Sequence, residues 1–333
     1  MATTAVRRSR ILGTGHYLPA QVVTNDELAK RVATSDEWIA SRTGIRQRHV
    51  AADNEAASDM ATRAAAHALE AAHLEARDLD LIIVGTVSPD VHLPATAMFV
   101  QRNLGARSDC PGFDLAAACA GFIYGLSVAD AFVRTGFAKH VLVVGVELLS
   151  RIVDWTDRNT CVLFGDGAGA VVVGPSEDEH RGILSTHLYA DGSQAEALWI
   201  PAGGTRKPLT PELLAEGEHL VHMVGKDVFR AAVKGLVSAS ETALAANGLT
   251  AGDVDWLVPH QANNRIIDAV VQRTGIPPEK CFVNIDKTAN TSSASVPIAL
   301  DQAVRSGRIR EKQTVLCCAF GGGFAWGSAL LRW

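Results

Sequence analysis

Long apolar runs are missing from this chain of 333 residues, and nothing in it approaches the roughly 18 uninterrupted apolar residues of a membrane span. The first ten residues carry Arg7, Arg8 and Arg10, but only the short strand-like pair Ile11-Leu12 follows them. Without an apolar h-region this start is not a secretion signal. Cysteine is scarce and badly spaced for metal. The six thiols (Cys110, Cys119, Cys161, Cys281, Cys317, Cys318) form no CxxC, and no histidine pair stands at ligand spacing. A disulfide framework or metal site is therefore not expected, and a reducing cytosol is the natural, cytoplasmic compartment. Positive charge is not in excess either: 31 Lys and Arg against 36 Asp and Glu leave a net charge of -5, which gives no reason to expect a nucleic-acid partner. No glycine cluster completes G-x-G-x-x-G. Gly13-Thr-Gly15 stops short, and Gly165-Asp-Gly-Ala-Gly169 lies between apolar strand-like runs instead of opening a helix, which argues against a nucleotide-binding module without covalent chemistry. What is present, 47% hydrophobic and 20% charged residues, reads as a soluble globular protein with ample material for a core.

The chain reads as one unit used twice. Leu74-Glu-Ala-Arg-Asp-Leu-Asp-Leu-Ile-Ile83 resembles Leu249-Thr-Ala-Gly-Asp-Val-Asp-Trp-Leu-Val258. Val100-Gln-Arg102 recurs as Val271-Gln-Arg273, and Asp130, Val133, Arg134 and Gly136 find Asp301, Val304, Arg305 and Gly307, both at an offset of 171. Each match is weak alone; their shared order and spacing is not. Within each half, helical patterns (56–75, 94–104, 120–135; 222–247, 262–274, 294–306) alternate with short apolar runs (81–85, 141–146; 256–259, 314–320). Such runs predict parallel strands buried on both faces. The expected fold is α/β, two βαβ-rich halves (1–178 and 179–333) packed as a five-layered α-β-α-β-α block, with the boundary at the polar, turn-prone 174–182.

Four segments carry candidate chemistry. In Phe113-Asp-Leu-Ala-Ala-Ala-Cys119-Ala-Gly-Phe122 a single thiol among small residues stands where a strand-like run gives way to a helical one. The free N–H groups and dipole of a helix start favour a thiolate there, although most free cysteines are merely buried. The offset of 171 carries Cys119 onto Asn290, so a pseudo-twofold axis would bring a nucleophile and an amide donor together at equivalent helix starts. Asn290 would serve equally as an ordinary N-cap. His260 follows a short apolar strand and a proline and opens onto a helix. In Phe320-Gly-Gly-Gly-Phe-Ala-Trp-Gly327 three glycines let backbone N–H groups approach a reacting oxygen, or simply make a turn.

Together these residues resemble the β-ketoacyl-acyl carrier protein synthase III family of the thiolase-like fold. The similarity runs almost end to end, through Gly13-Thr-Gly-His-Tyr-Leu-Pro19, Thr34-Ser-Asp-Glu-Trp-Ile39, Arg42-Thr-Gly-Ile-Arg46, Ala116-Ala-Ala-Cys-Ala-Gly121, Asp157-Arg158, Phe164-Gly-Asp-Gly-Ala-Gly169, His260-Gln-Ala-Asn263, Asn290-Thr-Ser292 and Phe320-Gly-Gly-Gly323. The resemblance implies decarboxylative condensation of an acyl-CoA primer with malonyl-acyl carrier protein at a Cys119–His260–Asn290 triad. Cys119 and Gly322 would supply the oxyanion hole; Thr34, Trp38, Arg42, Arg158 and Asn263 would bind coenzyme A. Leu93, Phe164, Met223, Phe229 and Phe320 would wall the acyl pocket, with Leu93 where the family often has Phe. Gln261, Arg265, Arg230 and Arg273 would meet an acidic carrier protein. A homodimer is implied, with no metal or organic cofactor beyond the acyl-CoA substrate. Thr288-Ala289 departs from the family, which usually has an aromatic or His and then Gly. A starter-unit synthase or acyltransferase of secondary metabolism shares these motifs. Elongating enzymes with two histidines and thiolases with a second cysteine fit Asn290 poorly.

Overall fold

Residues 8–333 are described in this computed structural model. In chain order the main strands are β1 Ser9–Tyr17, β2 Leu81–Gly85, β3 Gly112–Leu115, β4 Val141–Glu147, β5 Gly167–Pro175, β6 Gly182–Ala190, β7 Trp256–Pro259, β8 Thr314–Gly321 and β9 Ala325–Arg332. The main helices are α1 Asp36–Thr43, α2 Ala57–Ala72, α3 Thr96–Leu104, α4 Gly121–Thr135, α5 Gly225–Ala246, α6 Asn264–Thr274 and α7 Ser295–Arg305.

The main strands form two sheets, of order β1-β5-β4-β2-β3 and β6-β9-β8-β7. The two orders coincide under the sequence repeat. A lone parallel bridge from Leu257 to Cys281 even stands where the second sheet would have its equivalent of β3. The central strands β2 and β4 are buried along their whole length, as their unbroken apolar runs require. The expectation of parallel strands holds for β2 with β3 and β4, and for β7 with β8. β1, β5, β6 and β9, which lie outside the apolar runs that carried this expectation, pair antiparallel. β5 follows β4 and β9 follows β8 without the crossover helix that parallel pairing needs.

Helices α2 and α3 cover the outer face of the first sheet and α5 and α6 that of the second, while α4 and α7 touch both sheets from between them. This is the five-layered α-β-α-β-α arrangement of the thiolase-like fold. Phe122, Ile123 and Leu126 of α4 and Val296, Ala299 and Leu300 of α7 share one buried cluster with Ile83, Val143, Val315 and Cys317. Burying each large side chain of this kind stabilises the fold by about 1.5–3 kcal/mol. The repeat extends to backbone angles. Ala118 (φ +44°) opens the short 3-10 turn before α4, and Ser292 (φ +47°) opens the one before α7; Ala289 (φ +56°), three residues ahead of that turn, has positive φ as well. Non-glycine residues reach such angles at a cost of about 1–3 kcal/mol. Ala289, at φ +56° and ψ -163°, occupies a region normally left to glycine.

Candidate active site

The bend at Ala118 delivers Cys119 to the junction between the sheets, two residues before α4 begins. The thiol is 7% exposed. Burial pushes it up to about 12, outweighing its hydrogen bonds with Ser292 and its own backbone N–H, while the nearby Glu147 carboxyl pushes it the same way as burial. The expectation that a helix start favours thiolate is thus corrected: desolvation dominates, and the resting sulfur is a thiol.

His260 follows the last residue of β7, its N–H donating to the Cys318 carbonyl at 2.7 Å. Its Nδ1 lies 2.5 Å from Ser295 Oγ at the head of α7. Ser295 Oγ also accepts from the Gln261 N–H at 3.4 Å; in the tautomer in which Nδ1 accepts the Ser295 hydroxyl hydrogen, the ring proton is on Nε2 and faces the cavity. Burial pushes His260 down to about 3, so the ring is neutral at physiological pH. Asn290 is pinned by its N–H to the Leu163 carbonyl and by its own carbonyl, which accepts from the Gly165 N–H. Its Oδ1 accepts from the Ser292 N–H at 2.9 Å, which leaves the Nδ2 amide hydrogens for the cavity.

Cys119, His260 and Asn290 line one cavity of about 550 Å3, with Phe164, Leu198, Met223, Phe229, Asn263, Arg265, Phe320 and Gly321 in its wall. A smaller, mainly apolar cavity of about 260 Å3 continues past the sulfur, walled by Val87, Leu149, Ile152, Trp199, Ile200 and Val221, with Ser292 and Gly322 beside Cys119. Cys119, Phe164 and Leu198 face both spaces. An outer cavity edged by Lys226, Arg230, Asn263 and Arg265, three convergent polar groups and an apolar chamber behind the thiol suit a long polar carrier bearing an apolar acyl group.

Family models match both halves: the 3-oxoacyl-[acyl-carrier-protein (ACP)] synthase III model over residues 113–192, and its C-terminal counterpart over 244–333. A beta-ketoacyl-[acyl-carrier-protein] synthase III from Xanthomonas campestris is 57% identical over 328 residues, 98% of each chain. The chain belongs to the 3-oxoacyl-[acyl-carrier-protein] synthase III family. The crystal structure of the Aquifex aeolicus synthase III superposes with a TM-score of 0.91 at 46% identity, over 98% of this chain and 100% of that one. A priming β-ketosynthase of the R1128 polyketide pathway gives 0.90 at 39% identity, over 99% and 98%.

The synthase III motifs do not all fall where the resemblance puts them. Leu93 is 87% exposed and lines neither cavity, because its loop turns outward from the end of β2. Gln261 is fully buried, its amide donating to the Pro259 and Phe282 carbonyls and its Oε1 accepting from the Asn284 N–H. A carrier protein cannot touch it. Met223, Phe229 and Phe320 wall the outer cavity, whereas Phe164 walls both. Arg265, its guanidinium 5.6 Å from the Phe229 ring, and Arg230, paired with Asp227 at 2.6 Å, flank the outer cavity. Arg273 is exposed about 12 Å farther along α6, away from the mouth. The guanidinium groups of Arg42 and Arg158 each lie 4.4 Å from the Trp38 ring, too close to admit an adenine between ring and cation without displacement. Thr34 Oγ1 is enclosed without a hydrogen-bond partner. Asn263 caps α6 through a bond from the Ile266 N–H at 3.0 Å and lines the outer cavity. Gly322 lines the inner one beside Cys119.

Sequence reasoning missed Ser292, Ser295 and Glu147, and the inner-chamber residues Leu198, Trp199, Ile200 and Val221. The periodicity of α7 was the available signal for Ser295, which shares a helix end with Asn290. The other residues carry no recognisable pattern.

Proposed function

We propose that this chain condenses an acyl-CoA primer with malonyl-acyl carrier protein to give 3-oxoacyl-acyl carrier protein, coenzyme A and CO2, through an acyl-Cys119 intermediate. The observation that carries this is the convergence of Cys119, His260 and Asn290 on one cavity. Cys119 sulfur attacks the primer thioester and coenzyme A leaves, which splits a difficult condensation into two easier steps. The N–H groups of Cys119 and Gly322 hold the oxyanion of each tetrahedral intermediate; losing one such donor costs about 3–4 kcal/mol. Malonyl-acyl carrier protein then enters, and His260 Nε2–H and Asn290 Nδ2–H donate to its thioester carbonyl, stabilising the enolate as CO2 departs. A histidine that stays neutral suits this donor role and is a poor proton acceptor. The enolate attacks the acyl-cysteine and frees the product. The primer's acyl group lies in the inner chamber.

Trp38, Arg42, Arg158, Thr34 and Asn263 receive coenzyme A, with Arg158 swinging aside for the adenine. Arg265 and Arg230 steer the acidic carrier protein, and Arg273 adds to the same basic face at longer range. The halves 1–178 and 179–333 act as copies of one unit, each contributing one side of the site. We further take the protein to be a cytoplasmic homodimer, in which a second subunit covers Leu93 and the open edge of β3. Its free thiols suit a reducing compartment. Among the described residues no helix is long and apolar enough to cross a membrane, and no cluster of His, Cys, Asp and Glu could hold a metal ion. The chemistry assigned to the triad calls for no organic cofactor. Supplying purified protein with a panel of acyl-CoA primers and malonyl-acyl carrier protein tests the reading: 3-oxoacyl-acyl carrier protein should form with one CO2 per product. Failure with every primer would contradict it.

A further inference from the structure

Strand β4 ends on Glu147, a carboxyl with no solvent exposure. Its Oε2 accepts from Ser88 Oγ at 2.6 Å, the Val87 N–H at 3.1 Å and Thr86 Oγ1 at 3.4 Å, and its Oε1 accepts from Ser292 Oγ at 3.0 Å. Among the described residues no lysine, arginine or histidine forms an ion pair with it. The groups facing it are hydroxyls of Thr86, Ser88, Ser292 and Ser293, and the Cys119 thiol. Burial without a counter-charge raises its pKa above the usual carboxylate range, against the pull of those donors. A buried acid held only by hydroxyls and amides, beside a reactive sulfur, is poised to exchange a proton.

Ser292 joins the two. It is held at φ +47°, where a side chain is strained. Its Oγ bonds to Glu147, it hydrogen-bonds the Cys119 sulfur, and its N–H fixes Asn290 Oδ1. It also lines the inner chamber with Cys119. The nucleophile needs such a partner. A thiol near 12 is ionised in only about one molecule in 10^5 at neutral pH. His260 near 3, with Nδ1 turned to Ser295, does not meet the need.

Resting on the reading of Cys119 as nucleophile, we propose that Ser292 and Glu147 form a proton relay serving Cys119 in both halves of the reaction. As the sulfur bonds to the primer carbonyl, the S–H proton passes to Ser292 Oγ, whose own proton passes to the Glu147 carboxylate. The thioester C–S bond then breaks and coenzyme A leaves as thiolate, to be protonated by water. In the second half the enolate displaces Cys119 as thiolate. Glu147 returns its proton through Ser292 and the resting thiol is restored. Ser292 touches the reacting sulfur, and Glu147 acts through it as a positioning and proton-holding residue.

The test is single-turnover acylation with an acyl-CoA primer, quenched and read by mass spectrometry of the Cys119 peptide from pH 6 to 10. Thermal melts confirm that each variant is folded. Ser292→Ala and Glu147→Gln should each acylate at least tenfold slower at pH 7. The deficit should shrink as pH rises and hydroxide takes the proton instead, and the double variant should be no slower than the slower single one. A folded Ser292→Ala with the parent rate would overturn the relay. So would faster acylation by Glu147→Gln, the sign expected if that carboxylate only opposes the thiolate, or deficits that multiply in the double variant. No adduct on Cys119 of the unaltered protein would instead remove the nucleophile reading, and the relay with it.

Discussion

Gly321→Ala puts a methyl group into the backbone that carries the nucleophile. A Cβ at Gly321 would lie 2.5 Å from the Cys119 nitrogen, 3.1 Å from its Cα and 3.1 Å from the Ala118 Cβ. The first of these contacts has to open by about 0.5 Å or more, and neither side is a flexible side-chain tip. Gly321 closes β8 and pairs with Ala325, so the strand end is held by its ladder. Relief therefore comes from moving Ala118–Cys119, whose backbone is already strained at φ +44°. Overpacking of this kind costs about 1–3 kcal/mol of stability. The functional loss is larger in effect. A displacement near 1 Å at a reacting centre costs about 10²-fold, and removing an oxyanion donor about 10²–10³-fold. Single-turnover acylation should fall at least 10²-fold, with a melting temperature lowered by a few degrees. Gly192→Ala, at a site with nothing within 4 Å of the added methyl, should change neither and serves as control. A Gly321→Ala protein acylating within threefold of its parent would refute the packing argument.

Changes at the other two triad positions should separate the half-reactions: His260→Ala and Asn290→Ala spare acyl transfer from CoA while cutting malonyl-acyl carrier protein decarboxylation by about 10²-fold or more, read as CO2 release. Ala289→Gly removes the strain of φ +56° and ψ -163°, offset by the extra backbone freedom of glycine, and should raise stability by roughly 1 kcal/mol in denaturant titrations. His260 sets a pH window. Its native pKa lies near 3, below its ordinary 6.5, so its stabilising contribution is complete above pH 6.5. As pH falls toward 3 the unfolded chain binds a proton that the native one refuses, and stability drops by about 1.4 kcal/mol per pH unit for this group. His260→Gln should flatten that slope between pH 4 and 6 in denaturant titrations, and an unchanged slope would contradict the assignment.

The central strands were legible because a strand covered on both faces must be apolar throughout, as Leu81–Gly85 and Val141–Glu147 nearly are. The repeat reading drew on pairs such as Asp130 with Asp301, which stand in α4 and α7. Strands β5 and β9 were less legible because glycine, alanine and serine at their starts break the unbroken apolar run that marks β2 and β4. Leu93 shows that a motif gives position along the chain, not the direction in which a loop faces within one subunit. Gln261 departs from the expectation because, one residue beyond His260, its side chain turns into the protein and ties three backbone groups. Glu147 looked like the polar end of a strand. Its long-range contacts, with Thr86, Val87 and Ser88 and, across 145 positions, with Ser292, distinguish it.

The central claim is that two copies of one fold bring sulfur, imidazole and carboxamide to a single thioester. Its most direct measurement is peptide mapping of the protein after incubation with an acyl-CoA primer, followed by a chase with malonyl-acyl carrier protein. The account predicts one acyl group, on the peptide bearing Cys119, that disappears during the chase in the unaltered protein and persists in Asn290→Ala. An acyl group on another residue, or a Cys119 adduct that Asn290→Ala discharges at the full rate, would contradict it.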